Sequence, residues 1–274
     1  MTALIKAIVL IAMLAGSVYS GLPAALRTVG FHPYYAIPKF DLAGRRALIV
    51  TTSHDRLGDT GRATGVFGSE MTVPYFAFLD AGLKVDIASI KGGKIPVEPW
   101  SMAWPMATAE DRRFRGDNTA IEKLNNSIPI GNINAADYDV IFIAGGWGAA
   151  YDLAQSADLA KIVSAANANG AILGSVCHGA LGFVNARGVD GSPLLEGRRV
   201  TGVTDRQIRQ LGIEITPLHP ETELPAAKAQ FEARTAWRDF FATHTVVDGN
   251  LVTGQNQNSG YETSHRILEL LAAR

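Results

Sequence analysis

Residues 171–183 read AILGSVCHGALGF. The run has no Asp, Glu, Lys or Arg, and its first half is rich in branched aliphatics yet too short for an apolar helix. It reads as a strand buried on both faces, residues 171–177, that turns sharply at His178 and Gly179. Working outward, DVIFIAGG (139–146) is a second buried strand ending in glycines, followed by a helix over 158–169 that stops before Gly170. Upstream, ALIVTTS from Ala47 is a strand, a helix spans about 70–81 and ends at Gly82, and LKVDIASI (83–90) is the next strand. This alternation makes an α/β fold, a mainly parallel sheet covered by helices on both faces. Residues 92–134 interrupt it with a Trp-, Met- and Pro-rich stretch holding one short helix near 118–125, and insertions of this kind often cover sites. The tail adds two strands around Asp248–Gly249, a hairpin turn, and a last helix over about 261–272.

The 274 residues suffice for one core domain, residues 46–274. With 25 basic and 26 acidic residues the net charge is −1, and no run of like charge offers a surface to nucleic acid. Residues 7–26, AIVLIAMLAGSVYSGLPAAL, carry no charge and are long enough to cross an apolar layer of about 30 Å. Residues 1–26 are therefore set apart as a membrane anchor or an export signal with small residues at Ser17, Ser20 and Gly21, and 27–45 as a linker. An anchor is preferred; the membrane side is left open.

In a parallel sheet, functional groups gather beyond the carboxyl ends of the strands. Cys177, the single cysteine, stands at such an end, on the strand-to-helix turn that exposes a nucleophile. A lone cysteine is either a small buried hydrophobe or a reactive group. A helix beginning after it would favour thiolate, below the reference pKa of about 8.5. Glu70, taken alone, is a first-turn acid that suits the helix dipole.

Five segments change that weighing: TGVFGSE (64–70), AGGWGAAYDL (144–153), SVCHGALGFVN (175–185), GSPLLEGRRVTGVTD (191–205) and VTGQNQNSG (252–260). In this order and spacing the chain resembles the ThiJ/PfpI branch of the class I glutamine amidotransferase-like superfamily, which includes glutathione-independent glyoxalases, holding chaperones and peptidases. The resemblance covers about residues 47–271 and implies a flavodoxin-like sandwich with a nucleophile elbow. It implies Cys177 as nucleophile, His178 as its assistant, Glu70 hydrogen-bonded to the sulfur, and Gly145 and Gly146 as backbone donors to an oxyanion. Trp147, Gly179 and Asn256 complete the substrate-binding set.

Two positions depart from the pattern. Trp147 stands where related glyoxalases often carry a histidine, and Ile208 where many place the third, acidic member of a triad. Asp205 is the tentative substitute for that acid, or else an N-cap for RQIRQLG. His219-Pro220-Glu221 reads as a helix start with Pro220 at N1, too early in the chain for a triad. His32, His54, His244 and His265 lack metal-ligand spacing, and no metal or other cofactor is implied. Gln255, Asn256, Asn258 and Ser259 line the pocket or simply form a turn. Trp100, Trp104 and Trp147 form an apolar wall over the thiol or pack within the insertion.

The expectation is a glyoxalase III-type lyase that takes a small aldehyde such as methylglyoxal to a 2-hydroxy acid. An amidase or peptidase, and a non-enzymatic chaperone or redox sensor, are the alternatives. A homodimer is left open.

Overall fold

Alternate residues of β1 (Arg46–Thr51) point to opposite layers, as the two-residue period of a strand requires. Ala47 and Ile49 join one core cluster, Leu48 and Val50 the other. The computed structural model describes residues 3–274. The chain begins with α1 (Ala3–Thr28) and β1, then α2 (Gly68–Asp80), β2 (Lys84–Ser89), α3 (Ala109–Gly116), α4 (Asn118–Asn125) and β3 (Ile128–Pro129). It continues through β4 (Val140–Ile143), α5 (Ala149–Asp152), α6 (Ala157–Ala168), β5 (Ile172–Val176), β6 (Arg199–Val200), α7 (Asp205–Leu211) and α8 (Pro220–Ala226). β7 (Gln230–Phe231), β8 (Thr245–Asp248), β9 (Leu251–Gly254) and α9 (Gly260–Ala272) complete it.

The main sheet has the order β3-β2-β1-β4-β5-β9-β8, parallel except for the β8–β9 hairpin, with β5 between β4 and β9. α2 and α9 cover the face of Ala47 and Ile49; α6, the turn after β5 and α8 cover the other. The α/β sandwich with helices on both faces is thus as expected, and the end of β5 opens at the carboxyl edge where the other parallel strands also stop.

Three differences have physical causes. α2 starts at Gly68, two residues before Glu70, because the insertion supplies its cap: the Gly68 N–H donates to Ser101 Oγ at 2.9 Å. The insertion holds a second helix, α3, opened by a reciprocal capping box in which Thr108 accepts from the Asp111 N–H and Asp111 from that of Thr108. Residues 27–45 are no free linker. Phe31 and His32 are buried, the His32 N–H donates to Asn258 Oδ1 at 2.8 Å, and Asn258 Nδ2 donates to the Gly30 carbonyl at 3.0 Å. Phe31 stacks on Phe240 with ring centroids 4.9 Å apart, and the Leu42 N–H pairs with the Ala81 carbonyl. Domain and N-terminal segment are therefore joined by packing, not merely by chain.

Candidate active site

β5 carries its extended conformation to Val176, and Cys177 then adopts φ +59°. A non-glycine residue in this left-handed region costs on the order of 1–3 kcal/mol and persists only where its surroundings enforce it. The following segment, Cys177–Phe183, is a 3-10 helix pressed onto β4: a Cβ at Gly179 would lie 2.2 Å from the Ile143 carbonyl oxygen. Gly179 is thus required for close packing of the elbow.

Two more segments meet the elbow. After β4, Gly146 turns with φ +100°, and a Cβ there would stand 2.3 Å from the Phe67 nitrogen. A Cβ on Gly145 would fall 2.5 Å from Glu70 Oε2 and 2.8 Å from the His178 nitrogen. Glycine therefore lets the β4 turn, the first turn of α2 and the elbow touch through backbone. The Gly146 and His178 N–H groups are directed at the Cys177 sulfur, and those of Gly145 and Gly146 at the Glu70 carboxylate. Gly146 thus serves both the carboxylate and the sulfur, with Gly145 on the carboxylate and His178 on the sulfur.

Glu70, Cys177 and His178 are all buried. Burial pushes the Glu70 carboxyl up to about 8, with the thiol and the two glycine N–H groups partly offsetting it. Burial, and then the Glu70 charge, hold the Cys177 thiol well above its ordinary value. This overturns the expectation of a readily formed thiolate. The helix after Cys177 is a tight 3-10 turn, and enclosure beside a carboxyl outweighs the dipole of its two N–H groups. His178 Nδ1 lies 3.6 Å from Cys177 Sγ, and Nε2 has no partner. Burial lowers its pKa to about 3, helped by the charge of His219.

Asp205 does not join them. Thr204, not Asp205, caps α7, accepting from the Gln207 N–H, and the Asp205 carboxylate lies 3.3 Å from His219 Nδ1. Ile208 sits in the core with no exposed surface. Asn256 is likewise turned inward: its Nδ2 donates to Gln207 Oε1 and to the carbonyls of Asp239 and Ala242, so it braces the pocket wall instead of lining it. Gln255 is paired with the backbone of Arg234. The further polar groups that line the cavity are Gln207 and Gln257, which sequence reasoning passed over although Gln257 lies within the VTGQNQNSG segment. Trp147 lines the cavity, with Trp100 at 5.8 Å and the Arg62 guanidinium 5.5 Å from its ring. Trp104 stacks on Tyr19 and is not among the residues that line the cavity. Phe240, Leu211 and Ile213 close the apolar side and leave about 10 Å³, room for about one water.

The profile of the DJ-1/PfpI family matches residues 62–270. The chain belongs to the DJ-1/PfpI family. Among DJ-1/PfpI relatives, a glutathione-independent glyoxalase of Saccharomyces cerevisiae is 31% identical over 240 residues, covering 84% of this chain and 99% of its own. Of solved structures, the 24 kDa rapid encystment protein of Francisella tularensis superposes with a TM-score of 0.77 at 29% identity, over 83% of this chain and 99% of that one. Glyoxalase III from Candida albicans gives 0.73 at 26% identity, over 82% and 97%. Within this DJ-1/PfpI frame the elbow, Glu70 and the glycine turn form one enclosed constellation. A thiol, a carboxyl holding a proton at neutral pH and two backbone donors can carry out nucleophilic addition and proton transfer without further groups.

Proposed function

We propose that this chain is a glutathione-independent glyoxalase of the glyoxalase III type, converting a small 2-oxoaldehyde such as methylglyoxal to the 2-hydroxy acid. The observation that carries this reading is the enclosed Cys177–Glu70 pair at the elbow, in a chain similar along most of its length to glutathione-independent glyoxalases. In the proposed reaction Cys177 Sγ bonds to the aldehyde carbon while its proton passes to the Glu70 carboxyl, which in the same step gives its own proton to the carbonyl oxygen. The Gly146 and His178 N–H groups receive the developing alkoxide, which is protonated to the hemithioacetal. Removal of that carbon's proton gives an enediol, and return of a proton to the adjacent carbon gives a thioester. Water then releases the hydroxy acid and restores the thiol.

The burial of the thiol speaks against a peroxide sensor, which needs an exposed sulfur. The test is consumption of methylglyoxal without glutathione, with lactate formation, by the wild type and by Cys177→Ser. Loss of all turnover in the variant is expected; equal rates would end this reading.

We also propose that α1 anchors the protein in a membrane. The support is a 22-residue apolar stretch, Ala7–Thr28, with mean hydropathy 1.8 and none of its most apolar window buried. Retention of the full-length chain in carbonate-washed membranes is expected. A mature chain beginning after residue 17 would mark a cleaved signal instead.

A further inference from the structure

α1 is bonded to the domain by a contact that its own sequence calls for. Pro23 lies inside the helix and has no N–H, so the Tyr19 carbonyl, four residues earlier, lacks its helical donor. The Trp104 Nε1–H, from the insertion, donates to that carbonyl at 3.0 Å, and the two rings stack with centroids 5.1 Å apart. Before this junction the large apolar side chains of α1 are exposed, Ile11, Met13 and Val18 among them. Tyrosine and tryptophan favour the boundary between hydrocarbon and headgroups. Arg27 follows Tyr19 by about 12 Å along the axis, at 1.5 Å per residue, on the side where headgroups and water begin.

At this junction lies a cavity of about 490 Å³ lined by Tyr19, Trp104 and three arginines, Arg27 from α1 and Arg112 and Arg115 from α3. Arg112 and Arg115 share a face of α3 at i, i+3 spacing, and Phe114 beside them is fully buried. Arg113 is paired with Asp80, whereas among the described residues none of the three cavity arginines has a carboxylate partner. The acids of α3 are engaged elsewhere: Glu110 accepts from the Tyr261 hydroxyl, and Asp111 from the Thr72 hydroxyl and the Thr108 N–H.

A smaller cavity of about 40 Å³ adjoins the first, sharing Pro23, Arg27, Pro105, Ala107 and Arg112 as walls, and it is lined further in by His32. This side chain is 5% exposed, neither ring nitrogen has a hydrogen-bond partner, and its backbone is held at φ +46° by the Asn258 clasp. Burial, and then the Arg27 charge, lower its pKa to about 3, so the ring is neutral and carries one N–H in need of an acceptor. Arg112 gives one N–H to the Ala107 carbonyl at 2.9 Å and keeps the rest of its fork free. Guanidinium forks and an imidazole N–H around one cavity, with no acid among them, form a donor set that matches phosphate oxygens.

We propose that this junction binds the phosphate of an anionic membrane lipid, with Arg27 and Arg112 on the headgroup oxygens, Arg115 adding charge in the outer cavity, and His32 donating from the inner one. Free phosphate shares that chemistry. The exposed apolar helix leading to the cavity and the aromatic pair on its wall favour the lipid. The place of the headgroup in a bilayer rests on the reading of α1 as an anchor; the donor set does not.

The test is isothermal titration of the full-length protein, in a nonionic detergent, with dioctanoyl phosphatidylglycerol, dioctanoyl phosphatidylcholine and inorganic phosphate. One phosphatidylglycerol should bind at least tenfold more tightly than phosphatidylcholine. Arg27→Gln and Arg112→Gln should each weaken it fivefold or more, His32→Phe about threefold, and Arg113→Gln, on the same helix but paired with Asp80, less than twofold. Equal affinity for the two lipids, or equal losses in Arg27→Gln and Arg113→Gln, would overturn the proposal. Inorganic phosphate binding as tightly as phosphatidylglycerol would overturn it too, by assigning the site to a soluble anion. Release from carbonate-washed membranes with the lipid preference intact would end the anchor reading and uphold the headgroup site; retention without that preference would end the headgroup site and leave the anchor.

Discussion

The two halves of the Cys177 cavity are built by different means. On one side, β4, β5 and the first turn of α2 meet through glycines, and the groups they offer are backbone N–H donors, one strained cysteine and one buried glutamate. On the other, Val203 to Ile213, Phe240 and Gln257 contribute side chains from a short helix, a 3-10 turn and loops outside the main sheet. The first half is fixed by strand register, where a shift of a few tenths of an ångström brings backbone into collision. The second is held by replaceable side chains. An enzyme built this way can rewrite its relay and its substrate wall while the nucleophile stays in place.

The largest expected effect comes from the one side chain that links the halves chemically. Glu70→Gln keeps the shape but cannot carry the thiol proton, and methylglyoxal turnover should fall by about 10²–10⁴, the usual worth of general acid–base catalysis. A change below threefold would break the distinction between the halves. Its stability signature has a definite sign. The folded-state carboxyl is raised to about 8 from an ordinary 4.5, so the folded protein holds a proton that the unfolded chain releases. The stabilisation linked to that proton is full below pH 4.5 and is lost as pH rises through 8. The melting temperature of Glu70→Gln relative to wild type should therefore be higher at pH 9 than at pH 5, whatever its absolute value. His178 acts in the opposite sense, since its lowered pKa costs the folded state stability as pH falls from 6.5 toward 3.

Next in size is Gly146→Ala. The added Cβ meets the Phe67 backbone, and φ +100° is unfavourable for alanine, so a loss of about 3 kcal/mol or more in chemical denaturation is expected. A loss under 1 kcal/mol would show that the glycine half yields as readily as the other. The smallest effect should come from the replaceable side. Phe240→Leu should change KM for methylglyoxal by less than about tenfold with kcat nearly unchanged, since it trims an apolar wall without touching the reacting groups. A collapse of kcat would assign Phe240 a more intimate part.

The same division explains what could be read from the amino-acid order. The sheet, the elbow and the Gly145–Gly146 turn were legible because buried strands leave continuous apolar runs and close backbone approaches leave glycines. α3 carried a capping signal at Thr108–Asp111 that was overlooked inside the insertion. Gln207, Gln257 and Phe240 were not legible, since nothing local tells which side chain of an irregular segment turns inward. His219 was correctly read as the residue before a proline-started helix, yet its pairing with Asp205 depends on how α7 and the entry of α8 pack, which no spacing encodes. The raised thiol pKa was missed for a related reason: the sign of the shift depends on enclosure, and enclosure is tertiary. Ile208 gains meaning the same way. Buried without exposed surface, it is part of the core, so a carboxylate placed there would be sealed among apolar neighbours before it could orient a histidine.

Phe240 touches two parts of the molecule at once. One face closes the nucleophile's chamber, and the other stacks on Phe31, a residue next to the Asn258 bonds that clasp Gly30 and His32. The N-terminal segment therefore has a seam. Cutting the chain near Ser20 leaves the clasp whole, whereas cutting past Gly30 removes masonry from the chamber itself, so proteolysis only ten residues further along would turn the loss of a tail into damage to the catalytic room.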